Sequence, residues 1–315
     1  MPGGEFERIA RLARRFAGET PGVVLGIGDD AAVLEVGGRR LVWTIDEHVE
    51  GTHFRRELVS WEDEGYRSFM AAASDLAAMG GEPWCALSAL ALPAALDLDA
   101  FEALTEGQRI AAEEVGAAVI GGNLVRSDRV SLTTTLLGTC ERAIPRAGAV
   151  AGDVVWISGH VGLARAGLMA LERGLAHPQL VRAVRAWRRP RARVAEGRAM
   201  ALLAHAAIDI SDGLVQDIEH VSRASGVSVL LDESLFMGHL RAGKVDVVAA
   251  VLGVDPLDLA LSGGEDYAII AVGPESIPGF SRIGVVREGE GVSMAGPSGE
   301  RALAAGGFDH FAQGK

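Results

Sequence analysis

Apolar positions recur with two different periods along the first half of the chain. "GVVLGI" (22–27), "RLVWTID" (40–46), "PWCALSALALP" (83–93), "AAVIGG" (117–122) and "VSLTTTLLGTC" (130–140) are short runs rich in apolar and β-branched residues, bounded by Gly, Pro or polar turns, and predict strands. Between them, "WEDEGYRSFMAAASDLAAMG" (61–80) and the segment from Asp97 to Val115 predict helices. In the first of these helices Tyr66, Phe69, Met70 and Ala73 form an apolar stripe, and Asp75 falls about half a turn away from it, facing water or a cleft. The opening "MPGGEFERIARLARRF" mixes charged and apolar residues as an amphipathic helix does. Alternating strands and helices make this an α/β unit of about 140 residues, an ordinary domain size.

"PRAGAVAGD" (145–153) combines Pro and Gly with small residues and marks the expected boundary, giving domains at 1–144 and 145–315. Downstream the pattern predicts a strand "VVWISG", helices through an arginine-rich stretch, a strand running into "AIDISDG", a helix from Leu214, further strands and a Gly-rich tail. Asp209 and Ser211 alternate along the "AIDIS" strand, so both are expected on one face just before Gly213 opens the next helix. Arg182, Arg185, Arg188, Arg189, Arg191 and Arg193 read as a solvated helix face ended by Pro190. No internal repeat is present, and 315 residues suffice for two cores.

Thirty Lys and Arg against 42 Asp and Glu give a net charge of -12, which repels a phosphate backbone and argues against a nucleic-acid partner. The apolar runs, such as "VVAAVLGV" from Val247, are far shorter than a membrane span, so a cytoplasmic chain with no membrane partner is expected. Cys85 and Cys140 lie far apart and neither belongs to a CxxC pair, which predicts buried free thiols rather than a disulfide or thiolate metal site.

"LGIGDDAAVL" (25–34) carries the chemistry. Its glycines would let backbone approach a pyrophosphate, yet Asp29 and Asp30 put two carboxylates where the anion belongs, so a dinucleotide-binding reading fails on charge. "GHLRAGKV" (238–245) has P-loop spacing but carries Val245 where a Mg²⁺-binding Ser or Thr is required. What remains is a set of acids where strands end or helices begin: Asp29, Asp30, Asp46, Asp75, Asp209, Asp212, Glu265 and Asp266. Any one of them is an ordinary cap or turn residue, and Asp212 is the clearest N-cap. Together they suit several Mg²⁺ ions, each shared between carboxylates and substrate phosphate, so that Asp29 and Asp30 hold the metal that holds the phosphate.

The sequence resembles the thiamine-monophosphate kinases. "GEFERIARL", "GIGDDAAVL", "TIDEHVEGTHF", "SDLAAMGGEP", "GGNLVRSD", "AIDISDGLVQDI", "LSGGEDYAI" and "GFDHF" fall in that family's order across nearly the whole chain. The resemblance implies an aminoimidazole-ribonucleotide synthetase-like fold: an α/β N-terminal domain that pairs in a homodimer, and an α+β C-terminal domain that covers the cleft. It implies direct in-line transfer of the ATP γ-phosphate to thiamine monophosphate, giving thiamine diphosphate, on a cluster of Mg²⁺ ions. Carried over residue by residue, Asp30, Asp75 and Asp212 would be catalytic. Asp30, Thr44, Asp46, Asp75, Asn123, Asp209 and Asp212 would hold metal, with Ile45 offering only its backbone carbonyl. ATP would meet Gly122, Asn123, Arg146 and Ser211, and substrate would meet His53, Glu265 and Phe308. Arg146 can fork onto phosphate oxygens and Phe308 can stack on a flat pyrimidine.

One position departs from the family, which has Asp where this chain has Asn123; a neutral amide there implies a weaker metal. Selenophosphate synthetase and the hydrogenase-maturation relative are disfavoured by cysteine placement, since no Cys precedes Cys85 and the chain ends "FDHFAQGK". A non-catalytic ATP and Mg²⁺ sensor is the alternative from another class, disfavoured by the retained acids.

Overall fold

A computed structural model of the chain describes residues 4–311 apart from Glu19, Glu275, Ala305 and Asp309, so Asp309 of the terminal motif lies outside the described residues. The first half runs α1 (Glu5–Arg15), β1 (Val23–Leu25), β2 (Ala32–Val36), β3 (Arg39–Val49), α2 (Trp61–Ala78), β4 (Glu82–Leu92), α3 (Leu98–Glu114), β5 (Ala118–Arg126) and β6 (Ser131–Cys140). Its strands form one sheet in the order β1-β2-β3-β6-β4-β5, antiparallel except where β4 meets β5. The second half runs β7 (Val154–Ile157), α4 (Leu163–Glu172), α5 (Val181–Arg188), α6 (Val194–Met200), β8 (Ala206–Asp209), α7 (Leu214–Ser225), β9 (Ser228–Asp232), α8 (Glu233–Ala242), α9 (Val245–Leu252), α10 (Pro256–Ser262), β10 (Ile269–Gly273), β11 (Ser281–Arg287), β12 (Gly291–Gly296) and β13 (Gly299–Leu303). Its sheet has the order β13-β12-β9-β11-β7-β10-β8, with β9 and β12 the parallel pair. Each half builds its own core, one around Val42, Phe69, Leu76 and Leu136, the other around Ile157, Ile208, Phe236 and Ile270.

α2 is the element both halves share. Ser60 caps it by accepting from Asp63 N at 3.0 Å, and Glu62, Asp63 and Glu64 complement the positive end of its dipole. The expected single stripe is wrong for this helix: fourteen of its residues, from Glu64 to Ala78, are buried, because the sheet covers one side and the second half covers the other. Ala77 packs with Met200, Ala204, Ala207 and Ile269 of the second half. Against α3 the helix axes approach closely through two glycines. A Cβ on Gly65 would stand 1.9 Å from Leu104 O, and one on Gly107 the same 1.9 Å from Glu62 O.

The arginine run is only in part the solvated face expected: Arg182, Arg185 and Arg191 are exposed, while Arg188 and Arg189 are half-buried and clamp the first half. Arg189 pairs with both Glu62 and Asp63 at the start of α2, Arg188 Nε donates to Leu58 O at 2.9 Å, and Arg191 lies 3.3 Å from Glu114. These acids belong to the first half, so the run ties α5 to it. β8 also departs from expectation: it ends at Asp209, and Ser211 sits in an exposed bend beyond it. Cys85 and Cys140 are free but only half-buried.

Candidate active site

The acids of the first half meet those of β8 where α2 crosses between the sheets. Thr44, facing inward from β3, donates to Asp75 Oδ2 at 2.6 Å and to Asp30 O at 3.2 Å. Ser74, one residue along α2, donates to Asp209 Oδ2 at 2.6 Å. Burial, then Asp209, Asp46 and Asp30, hold the Asp75 carboxyl well above the usual carboxylate range. Burial and Asp30 push Asp209 up to about 8. Burial likewise raises Asp212, to about 6, with Glu5 adding to the shift. The raised carboxyls form one region of negative charge that Arg146 compensates only in part, and Asp30 Oδ2 is buried there without a hydrogen-bond partner.

Arg146 is the cation that reaches this region. Its Nε donates to Asp30 Oδ1 at 2.9 Å and its NH2 bonds the same oxygen. Asp29 plays a different part: Oδ1 accepts from Asp30 N and Oδ2 from Arg146 N, each at 3.0 Å, so it staples the loop to the linker. Asp212 does not cap a helix. Gly213 is the N-cap of α7, and Asp212 Oδ2 accepts instead from Gln216 Nε2 at 3.2 Å. The same Nε2 donates to Phe308 O at 2.8 Å, and Phe308 N donates to Asp212 O at 3.1 Å, which brings the C-terminal segment to the acids.

Aromatic rings continue from there. Phe308 meets His310 edge-on at 4.9 Å, His310 lies 5.0 Å from His53, and His53 stacks on His48 at 5.4 Å. Burial, with His48 and His310 nearby, lowers His53 to about 4, and its Nδ1 accepts from Val49 N at 2.9 Å. Glu265 closes this side. It takes φ +61° and Tyr267 takes φ +47°, left-handed conformations that cost these residue types about 1–3 kcal/mol each. Asp266, between them, is structural: it accepts from Gly162 N at 2.6 Å and Ala164 N at 2.9 Å at the start of α4.

Thus Asp30, Thr44, Asp46, Asp75, Arg146, Asp209 and Asp212 come together, with His53, Glu265 and Phe308 beside them. Ile45 stands as expected, and two other positions, Gly122 and Asn123, stand differently. Ile45 is 68% exposed on the opposite face of β3, so only its backbone adjoins the acids. Gly122 and Asn123 lie on β5: Asp46 registers with Thr134, Thr134 with Ser88 and Ser88 with Gly122, three strand spacings or about 14 Å across the sheet. Gly122 is required there by packing, since a Cβ would fall 1.7 Å from Ser88 O. Sequence reasoning missed Asp217, a buried acid accepting from Gly213 N at 3.0 Å, and the buried group Glu64, Arg67 and Trp187. For the last group the available signal was an acid and a base three residues apart, Arg67 being the one basic residue of a helix rich in apolar and small residues.

The family model described as AIR synthase related protein, N-terminal domain, matches residues 28–140, and that described as AIR synthase related protein, C-terminal domain, matches residues 150–292. A thiamine-monophosphate kinase of Aquifex aeolicus (strain VF5) is 34% identical over 315 aligned residues, covering 98% of either chain. The chain belongs to the thiamine-monophosphate kinase family. A second member, from Mycobacterium tuberculosis (strain H37Rv), is 34% identical over 91% of this chain and 86% of its own. Among solved structures, AaThiL complexed with AMPPCP and TMP superposes with a TM-score of 0.90 at 32% identity, over 98% of this chain and 97% of that one. The two-domain fold expected of this family is therefore the fold found.

Proposed function

We propose that the chain phosphorylates thiamine monophosphate with ATP, giving thiamine diphosphate and ADP by direct in-line transfer. The observation that carries this reading is the meeting of Asp30, Asp75 and Asp209 from three separate segments, Asp75 and the Asp30 carbonyl joined through Thr44 and Asp209 held by Ser74, in a chain whose relatives are thiamine-monophosphate kinases. The solved relative's ATP analogue and TMP are the matching ligands.

The donor set fits Mg²⁺. Every atom offered is an oxygen, and the partnerless Asp30 Oδ2 has an acceptor's lone pairs with no proton to receive. Among the described residues no three Asp, Glu, His or Cys groups converge on one point. Each ion would therefore draw on one or two protein oxygens and on phosphate and water, the sharing that Mg²⁺ favours. Bound there, Mg²⁺ would neutralise the acids and the charge on the transferring group. Asp30, Asp46, Asp75, Asp209 and Asp212, with Thr44, would hold it.

The chain's own residues do the rest. Arg146, already forked on Asp30, can turn one N–H toward a phosphate oxygen without leaving the carboxylate. Exposed Ser211 stands at the mouth beside Asp212, where a nucleotide would pass. His53, neutral and with its proton on Nε2, Glu265 and Phe308 form the side on which the acceptor substrate would rest.

The reading includes a homodimer. Trp43 of β3, Leu87 of β4 and Val125 of β5 are exposed on the face of the first sheet away from α2 and α3, an apolar surface suited to a second copy. We place the contribution of Gly122 and Asn123, remote from the acids within one chain, at that interface. The test is an end-point assay with ATP, thiamine monophosphate and Mg²⁺. ADP and thiamine diphosphate should form in equal amounts, and neither should form without a divalent cation.

A further inference from the structure

Beneath the substrate side of the site runs a buried chain of charged groups that the proposed transfer does not use. His48 Nδ1 and Glu64 Oε1 are hydrogen-bonded at 2.7 Å, Arg67 NH1 donates to Glu64 Oε2 at 3.2 Å, and Arg67 NH2 donates to Glu265 Oε1 at 2.5 Å. Trp187 Nε1 donates to the other oxygen, Glu265 Oε2, at 2.8 Å, while the Arg67 guanidinium lies 4.2 Å from the centre of the Trp187 ring. Glu64 and Arg67 are fully buried; the side chain of Glu265 keeps 29% of its surface open. At the far end His48 stacks on His53, with ring planes 9° apart. One chain of contacts thus links the two polar residues on the substrate side.

Stability alone does not account for it. Buried ion pairs are seldom better than apolar side chains of the same volume, because desolvation offsets the attraction. What the chain does achieve is orientation. Both oxygens of Glu265 are anchored, one by each donor, so its remaining lone pairs face the open side. Next to it, His53 Nδ1 accepts from Val49 N, which leaves Nε2–H as a donor.

We infer that Arg67 and Trp187 are positioning residues for substrate specificity, fixing Glu265 as an acceptor beside the His53 donor so that together they read the edge of an aminopyrimidine. This rests on the thiamine monophosphate reading above. An exocyclic amino group beside an unprotonated ring nitrogen needs one acceptor and one donor, the pair offered here. The 4-oxo analogue presents the reverse, an oxygen facing the carboxylate and a ring N–H facing the imidazole N–H. A rigidly held carboxylate cannot turn away from that mismatch.

The experiment compares the wild-type chain with Trp187→Phe, Arg67→Lys and Glu265→Gln. Steady-state constants are measured for thiamine monophosphate, for its 4-oxo analogue and for ATP, with thermal unfolding as control. Trp187→Phe keeps a ring over Arg67 and removes only the indole donor. The expected result for Trp187→Phe and Arg67→Lys is a KM for thiamine monophosphate raised about tenfold, kcat and the ATP KM changed less than about twofold, and discrimination against the 4-oxo analogue lowered at least about tenfold. Glu265→Gln should lose as much or more. If Trp187→Phe unfolds like wild type yet keeps both its KM and its discrimination, the inference is overturned, whether or not Arg67→Lys folds. A Glu265→Gln effect in that case leaves the kinase reading standing. Wild-type protein that turns over no thiamine monophosphate would overturn the kinase reading and this inference with it.

Discussion

At the scale of single residues the site is an arrangement of acids that destabilises the empty fold. The raised pKa of Asp75 means that the folded chain binds its proton more tightly than the unfolded chain does. Stability without metal therefore falls as pH rises above the ordinary carboxylate range, and a neutral amide removes that loss. Asp75→Asn is expected to raise the metal-free melting temperature at neutral pH while lowering kcat by ~10²–10³ or more, the loss typical of one electrostatic contact to a transition state. An unchanged kcat at saturating Mg²⁺ would make Asp75 a structural residue. A second expectation concerns pH. With Asp209 held up to about 8 and Asp212 up to about 6, a cation binding between these values must displace protons. Apparent Mg²⁺ affinity should rise with pH across that window, by up to about tenfold per unit, and calorimetry in buffers of different ionisation enthalpy should show proton release on binding. A pH-independent affinity would place Mg²⁺ elsewhere. The acids were legible in the sequence because Asp30, Asp46, Asp75, Asp209 and Asp212 sit within distinctive motifs, although Asp46 lies inside β3 and Asp75 inside α2 rather than where an element ends or begins. Their pairing was not, since nothing in "SDLAAMGG" tells that Ser74 meets Asp209 and Asp75 meets Thr44.

At the scale of elements, the hydrophobic periods place most strands and helices of the first half but miss β2, and after α7, where strands are expected, they miss helices α8, α9 and α10; the other failures are tertiary. α2 shows an apolar stripe, but its remaining residues are small or paired, so a second layer covers them, and local periodicity cannot report that layer. Arg189 and Arg191 look like solvated charge until the acids of α2 and α3 are brought opposite. Conversely, β8 ended one turn of alternation early, because the chain must bend at Ile210–Gly213 to start α7. The close crossing of α2 and α3 yields a sharp expectation. Gly107→Ala drives a methyl into Glu62 O, so it should destabilise by at least about 2 kcal/mol in denaturant unfolding, despite the better helix propensity of Ala. A neutral or stabilising result would mean that the two helices can separate freely.

For the whole molecule, the proposed dimer would complete a site between two halves of one chain with a face that one chain leaves bare. Light scattering is expected to give the mass of a dimer. Leu87→Asp, which places a charge on the exposed face of β4, should give a folded monomer with turnover reduced at least about tenfold, because Gly122 and Asn123 are then absent from the site. A wild-type monomer with full activity would contradict that arrangement. Direct transfer between two bound phosphates is tested by rapid quench of a single turnover with γ-labelled ATP and thiamine monophosphate. Label should enter thiamine diphosphate as fast as it leaves ATP, with none on the protein. A labelled protein that forms and decays at the rate of turnover, or label lost to inorganic phosphate while thiamine monophosphate persists, would contradict it.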